Sequence, residues 1–157
     1  MATDYLLVID GIKGESEDKQ YKDSIELQHF SWSVSNGGSF QHGGGGGAGK
    51  ASFTDLGCQA RASKASPNLM QKCASGDHIP KAVLHVRKQG DGQKEYYTVT
   101  LEDLLVSHYS CTPDDHGGSD NFTLNYAKIK FEYKPQDSKG ALGAVVTGTW
   151  DLKKNVR

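Results

Sequence analysis

The stretch Ile25-Glu26-Leu27-Gln28-His29-Phe30-Ser31-Trp32-Ser33-Val34-Ser35 decides the fold. Ile25 and Leu27 alternate with a polar neighbour, the phase slips at Gln28-His29, and Phe30, Trp32 and Val34 resume the alternation. Successive side chains of a strand point to opposite faces, so a one-residue slip exchanges the buried face for the exposed one. A bulge or bend does this where a strand leaves one sheet and joins another, as at the corner of a barrel or sandwich. The slip recurs further along: Phe122, Leu124 and Tyr126 share one face, whereas Ile129, Phe131 and Tyr133 fall on the other after Ala127. Two long, bent strands predict an all-β fold built as a small closed or nearly closed barrel.

Working outward, a first strand is predicted over 5–12, followed by a charged connection, Gly14 to Asp23, that has no apolar face to bury. Lys81 to Lys88 and Lys94 to Leu101 read as a hairpin through Gln89-Gly90-Asp91-Gly92, whose Asp-Gly supplies the positive φ of a tight turn. A last strand is expected over 144–152. One short helix, 66–75, interrupts the strands: Ser66 suits the N-cap, Pro67 the first helical position and Gly76 the left-handed residue past the end. Leu69, Met70 and Cys73 then form a narrow apolar stripe, so the helix packs on something and is not buried all round.

At 157 residues the chain fits one domain, 1–157, with no appended C-terminal domain expected. Leu, Ile, Val and Phe make up about a fifth of it, the margin at which a highly charged chain stays unfolded, but the net charge of −1 favours order. Near-neutrality without a dense basic run argues against nucleic acid as a partner. The longest apolar run, Tyr5 to Ile9, is too short to span a bilayer, and the N-terminus lacks the pattern of a cleaved signal peptide. Cys58, Cys73 and Cys111 are an odd set without a CxxC pair, which speaks against a disulfide framework and for synthesis in the cytosol.

Candidate chemistry is sparse. Gly44-Gly45-Gly46-Gly47-Ala48-Gly49-Lys50 matches a phosphate-binding loop until Ala51 replaces the hydroxyl that would hold Mg²⁺. The following residues alternate like a strand where a helix N-terminus is required. The string reads instead as part of a long loop, 36–50, whose glycines are costly to order and which a binding partner would fix. His108, Cys111 and His116 have metal-like spacing but no evident fourth ligand. No nucleophile motif occurs, and carboxylate pairs such as Asp114-Asp115 adjoin turns. No catalytic, metal or cofactor site is expected, and the chain is not read as an enzyme. Ser31, Ser33 and Ser35 place small hydroxyls behind the apolar face of Phe30, Trp32 and Val34, which suits either a solvated face or the wall of a polar cavity.

The ordered set Gly11-Ile12-Lys13-Gly14-Glu15-Ser16, Ser31-Trp32-Ser33, Gly43 to Lys50, Ser66-Pro67-Asn68-Leu69-Met70, Arg87-Lys88, Glu95-Tyr96, Leu105-Val106-Ser107, Leu124 to Ile129, Tyr133-Lys134-Pro135-Gln136 and Trp150-Asp151 covers nearly the whole chain. It resembles the haemolysin-coregulated protein (Hcp) family, the tube subunit of the bacterial type VI secretion system.

The resemblance implies a barrel of two packed antiparallel sheets with a helix on its flank, similar to phage tail-tube proteins. It further implies a homo-hexameric ring that stacks into a tube, is driven by contractile sheath proteins beneath a VgrG-type spike, and carries effector proteins in its lumen. The subunit would be cytoplasmic before firing and then secreted without a cleaved signal peptide. By the same resemblance Gly37, Gly38, Ser39, Phe40, Gln41, His42, Gly43, Gly44, Gly45, Gly46, Gly47 and Lys50 would contact the next ring, and Ser31, with Ser33 and Ser35, would face the lumen. The alternative is a secreted binding protein acting on host or target cells.

Overall fold

The structure is a computed structural model of the chain and describes residues 3–38, 49–89 and 92–157. Among these residues, nine strands and one helix follow in the order β1 Thr3–Ile9, β2 Ile25–Ser31, β3 Val34–Asn36, β4 Ala51–Phe53, β5 Leu56–Arg61, α1 Ala65–Ser75, β6 Ile79–Lys88, β7 Glu95–Thr112, β8 Ser119–Tyr133 and β9 Val146–Asp151. All pairings are antiparallel. The main sheet runs β5-β2-β1-β6-β7-β8-β9, and the further pairing of β5 with β8 closes six of these strands into a barrel. β9 is left on the outside of β8, and β3 and β4 form a separate two-stranded ribbon.

Both expected slips are present, and each has a structural cause. In β2 the pairing with β5 shifts between Leu27 and His29, a bulge that turns the strand onto its second neighbour. In β8, Tyr126 and Ala127 are buried in succession, and between the pairs Glu102–Lys128 and Leu104–Tyr126 on β7, Asp103 stands at φ +53°. At this corner β8 changes neighbour: its first half, Ser119–Leu124, pairs with β5, and its second, Lys128–Tyr133, pairs with β9. β7 stays beside it on the other edge through both halves, with a shift between Val106 and His108.

The core is filled by Leu7, Ile25, Leu56, Leu84, Val99, Leu101, Val106, Phe122 and Leu124 and their neighbours, each nearly inaccessible. Burial of such side chains contributes about 1.5–3 kcal/mol apiece before the entropy of ordering is counted. Arg87 is also buried and is held by the carboxylates of Asp4 (Nε to Oδ2 3.4 Å) and Asp18 (Nη1 to Oδ1 3.2 Å). Asp18 sits in the β1–β2 connection, where its Oδ1 also accepts from the backbone N–H groups of Gln20 and Tyr21. Tyr21 stacks on His85 with ring centroids 4.1 Å apart and donates to Glu95. The connection that sequence leaves without an apolar face is therefore strapped to β6 and β7 by charge and ring contacts.

The helix departs from expectation at its start. It begins at Ala65, and the cap position is Lys64, with no side-chain cap. Ser66 lies inside the first turn, where its hydroxyl accepts from the Ser63 N–H and donates to the buried Asp120. Gly76 does close the helix, at φ +67°, its N–H on the Lys72 carbonyl. Of the expected stripe only Leu69 is fully buried; Ala65 joins it, Cys73 is half-buried and Met70 is exposed. The first strand ends earlier than predicted, at Ile9, because Gly11 at φ +82° turns the chain so that Ile12 bridges back to Ile9. The hairpin strands run longer, and their turn residues Gly90 and Asp91 lie outside the described residues.

Candidate functional site

Registers across β2, β5, β8 and β7 define rows of side chains on the outer face of this part of the barrel. Ser31 pairs with Gly57, Gly57 with Thr123, and Thr123 with His108. His29 pairs with Gln59, Gln59 with Asn121, and Asn121 with Ser110. The intervening row, Phe30, Cys58, Phe122 and Tyr109, points the other way, to the core. Two adjacent rows thus present hydroxyls, amides and imidazoles without one Asp, Glu, Lys or Arg. Between them lies a shallow cleft of about 190 Å³, bordered by His29, Ser31, Gly57, Gln59, His108, Asn121 and Thr123. Formal charge begins one row further on either side, at Arg61 beside Ser119 and at Asp55, which accepts from Ser107 (2.7 Å) and Asn125 (2.8 Å).

The face around β9 is built in the opposite way. The row Glu102, Lys128, Asp151 and the neighbouring residues Lys130 and Glu132 carry charge on nearly every strand, with Lys130 Nζ 3.5 Å from Glu132 Oε1. In a chain in which charged residues make up 24%, the two outer surfaces are sharply divided.

The groups behind the uncharged face are held unreactive. Burial pushes the Cys58 thiol well above the ordinary range, so it remains protonated. Burial, and then hydrogen bonding to Asp120 (2.7 Å), raise the Tyr109 hydroxyl to about 12. Among the described residues no three His, Cys, Asp or Glu side chains converge as metal ligands would, and His108, Cys111 and His116 are not brought into such a group. No helix among them is long and apolar enough to cross a membrane.

The serines read together from the sequence part company in the structure. Ser31 lies in the uncharged rows. Ser33 stands where β2 gives way to β3, its N–H on the Thr54 hydroxyl at 2.8 Å. Ser35 is on the ribbon, paired with Ser52. The chain leaves the barrel at Trp32, which stays anchored by donating to the Tyr97 hydroxyl (3.0 Å) and by edge contact with Phe131. Tyr126, whose hydroxyl donates to the Thr54 carbonyl at 2.8 Å, secures the returning strand. Gly37, Gly38 and Lys50 border the ribbon, and Asn36 Nδ2 donates to the Gly49 carbonyl (2.7 Å). Ser39, Phe40, Gln41, His42 and Gly43 to Gly47 lie outside the described residues.

His29, Gly57, Gln59, His108, Ser110, Asn121 and Thr123 escaped the sequence reading as a group. Their signal is the absence of charge at alternate positions of four strand segments, which only the register assembles.

Comparison with known proteins gives a consistent result. The family model described as "Type VI secretion system effector, Hcp" matches residues 6–133. The protein Hcp1 of Pseudomonas aeruginosa is 42% identical over the whole of this chain and 99% of its own length. The crystal structure of Hcp1 from Salmonella typhimurium superposes with a TM-score of 0.82 at 35% identity, covering 99% of both chains. A structure described as a type six secretion system protein reaches 0.92 at 26% identity over 98% of both. The barrel, its flanking helix and this agreement in sequence and structure place the chain in the Hcp family of the type VI secretion system.

Proposed function

We propose that the chain is a structural subunit of the type VI inner tube, six copies closing into a ring whose lumen is lined by the uncharged rows of β2, β5, β8 and β7. The observation that carries this reading is the division of the surface. A passage wall that presents Ser31, Gln59, Asn121 and Thr123 offers exchangeable hydrogen bonds and no fixed charge to hold an effector fast. Effector proteins would be carried there noncovalently, the sheath would meet the outside of the tube and the spike its tip, and the subunit would leave the cytoplasm with the tube. The stretch from Gly37 to Lys50 would contact the next ring.

A ring subunit has a definite mass in solution. Light scattering on the purified protein, with imaging of the same peak, should give six-subunit rings; monomer at every concentration would overturn the reading. Shortening the run Gly43 to Gly47 should leave the ring and weaken stacking, and loss of the ring itself would move that segment's role to within the ring.

A further inference from the structure

The outer edge of β9 is open and its backbone phase can be read. The Leu152 N–H goes to the Ala127 carbonyl on β8 (2.8 Å), whereas the Asp151 N–H and carbonyl both turn away from β8 and bond Val156, at 2.7 and 3.3 Å. Backbone groups alternate sides along an antiparallel strand. Thr149 and Thr147, in phase with Asp151, therefore also direct their N–H and carbonyl groups outward. Val156 covers only the last rung of this edge, in antiparallel pairing, and among the described residues the rungs at Thr149 and Thr147 have no strand beside them. The edge lacks the usual protection of lysine, proline or a bulge, and Val146 is 66% exposed.

The β3–β4 ribbon has the complementary deficiency. Two strands of three residues have too little face to stand alone, and a third strand is the ordinary remedy. The Ser33 carbonyl accepts from the Thr54 N–H (2.9 Å), so Ser33 and Ser35 bond toward β4, and Val34 and Asn36 face away from it. The Asn36 carbonyl takes the Gly38 N–H (2.9 Å) and keeps a second lone pair. β3 is exposed throughout, Val34 by 52%, whereas Ala51 and Phe53 of β4 are half-buried. Within one chain the ribbon and the β9 edge belong to separate sheets.

We propose that the open edge of β9 takes up strand β3 of a second copy, with the rungs at Val34 and Asn36 meeting those at Thr147 and Thr149. β3 carries no charge, and the one charge on β9, Asp151, lies on the rung that Val156 already covers, so the pairing meets no like-charge penalty. Donor and acceptor are on different parts of the same chain, so the contact is head-to-tail and repeats from copy to copy until it closes. It rests on the ring reading above and gives that ring its joint.

The test is a disulfide ladder. In a Cys73→Ser, Cys111→Ser background, Val34→Cys is combined with Thr149→Cys, its partner in an antiparallel joint, or with Thr147→Cys, its partner in a parallel one. Oxidation should give covalent species that climb to the ring from the double variant of one direction, and monomer from each single variant. Rings by light scattering with no covalent species from either double variant would overturn this joint and leave the ring reading standing; a monomeric parent together with double variants that give no ladder would overturn both. As a second measurement, Thr149→Pro removes only an outward N–H, which an edge strand tolerates. It should give monomers of unchanged circular dichroism, and rings of unchanged mass would overturn the joint; if that variant fails to fold, the ladder decides.

Discussion

Ser31 and Gly57 stand directly across from one another on β2 and β5, and a Cβ added at position 57 would lie 3.4 Å from the Ser31 Oγ. The glycine is what leaves the uncharged face hollow at its centre. Gly57→Ala needs only a small movement of the serine hydroxyl, whereas Gly57→Leu fills the cleft between Ser31 and Thr123. The larger variant should keep the ring mass and lose effector retention in a pull-down, as should a bulky replacement of Ser31. Undiminished retention by both would place effectors elsewhere.

Glu95 gives the fold a marked acid profile. Burial on its own would raise its pKa, but hydrogen bonds from His85 (2.6 Å), Tyr21 and Thr98 (2.7 Å) outweigh burial and hold it down to about 2, against 4.5 unfolded. The stabilisation is thus complete above pH 4.5 and disappears as the pH falls toward 2, and amounts to at most about 3 kcal/mol. Denaturant titrations from about pH 6 down to about pH 2.5 should show this loss in the parent and a flatter profile in Glu95→Gln. Equal slopes would mean that the carboxylate is free of its partners.

Arg87 is 2% exposed between two carboxylates. Arg87→Met keeps the volume but leaves Asp4 and Asp18 facing each other without their cation, and removal of one member of a buried pair costs about 3–5 kcal/mol. The midpoint of urea unfolding should fall accordingly. Combining Arg87→Met with Asp4→Asn and Asp18→Asn should recover part of that loss, because no uncompensated charge remains.

The helix is fastened at its first turn by Asp120, which is 1% exposed and accepts from both Ser66 and Tyr109. Ser66→Ala should destabilise the fold by about 1–3 kcal/mol, as expected when a buried charged acceptor loses a donor. A conventional helix cap lost to alanine costs about 1 kcal/mol whatever stands elsewhere. A double-mutant cycle with Tyr109→Phe separates the two, since coupling appears only where both hydroxyls serve the same carboxylate.

The barrel could be read from sequence because its two corners are written as slips in the alternation, at Gln28-His29 and at Tyr126-Ala127, and both are where strands turn. The helix start misled because Ser66 looks like a local cap while its hydroxyl is bonded to a residue in β8, far along the chain. The three alternating serines show a different limit: period two is kept from Ser31 to Ser35, but the strand leaves the barrel between them, and periodicity does not report which sheet a strand belongs to. The uncharged face was half legible for the same reason. Ser31 is visible on one strand, whereas Gly57, Gln59, Asn121 and Thr123 join it only through registers that local sequence does not encode.

One unbroken strand, β8, serves as a member of both halves of the molecule, pairing with β5 before its corner and with β9 after it while β7 accompanies it throughout. Among the described residues, the two halves are joined at this corner by continuous strand and not by a loop. Were the halves to rock against each other, the rungs shared by β7 and β8 at the corner would have to open together, with no loop there to absorb the movement. A force along β8 loads its ladder in shear, across many bonds at once, so a push on one end of the barrel is delivered to the other as displacement rather than spent in bending.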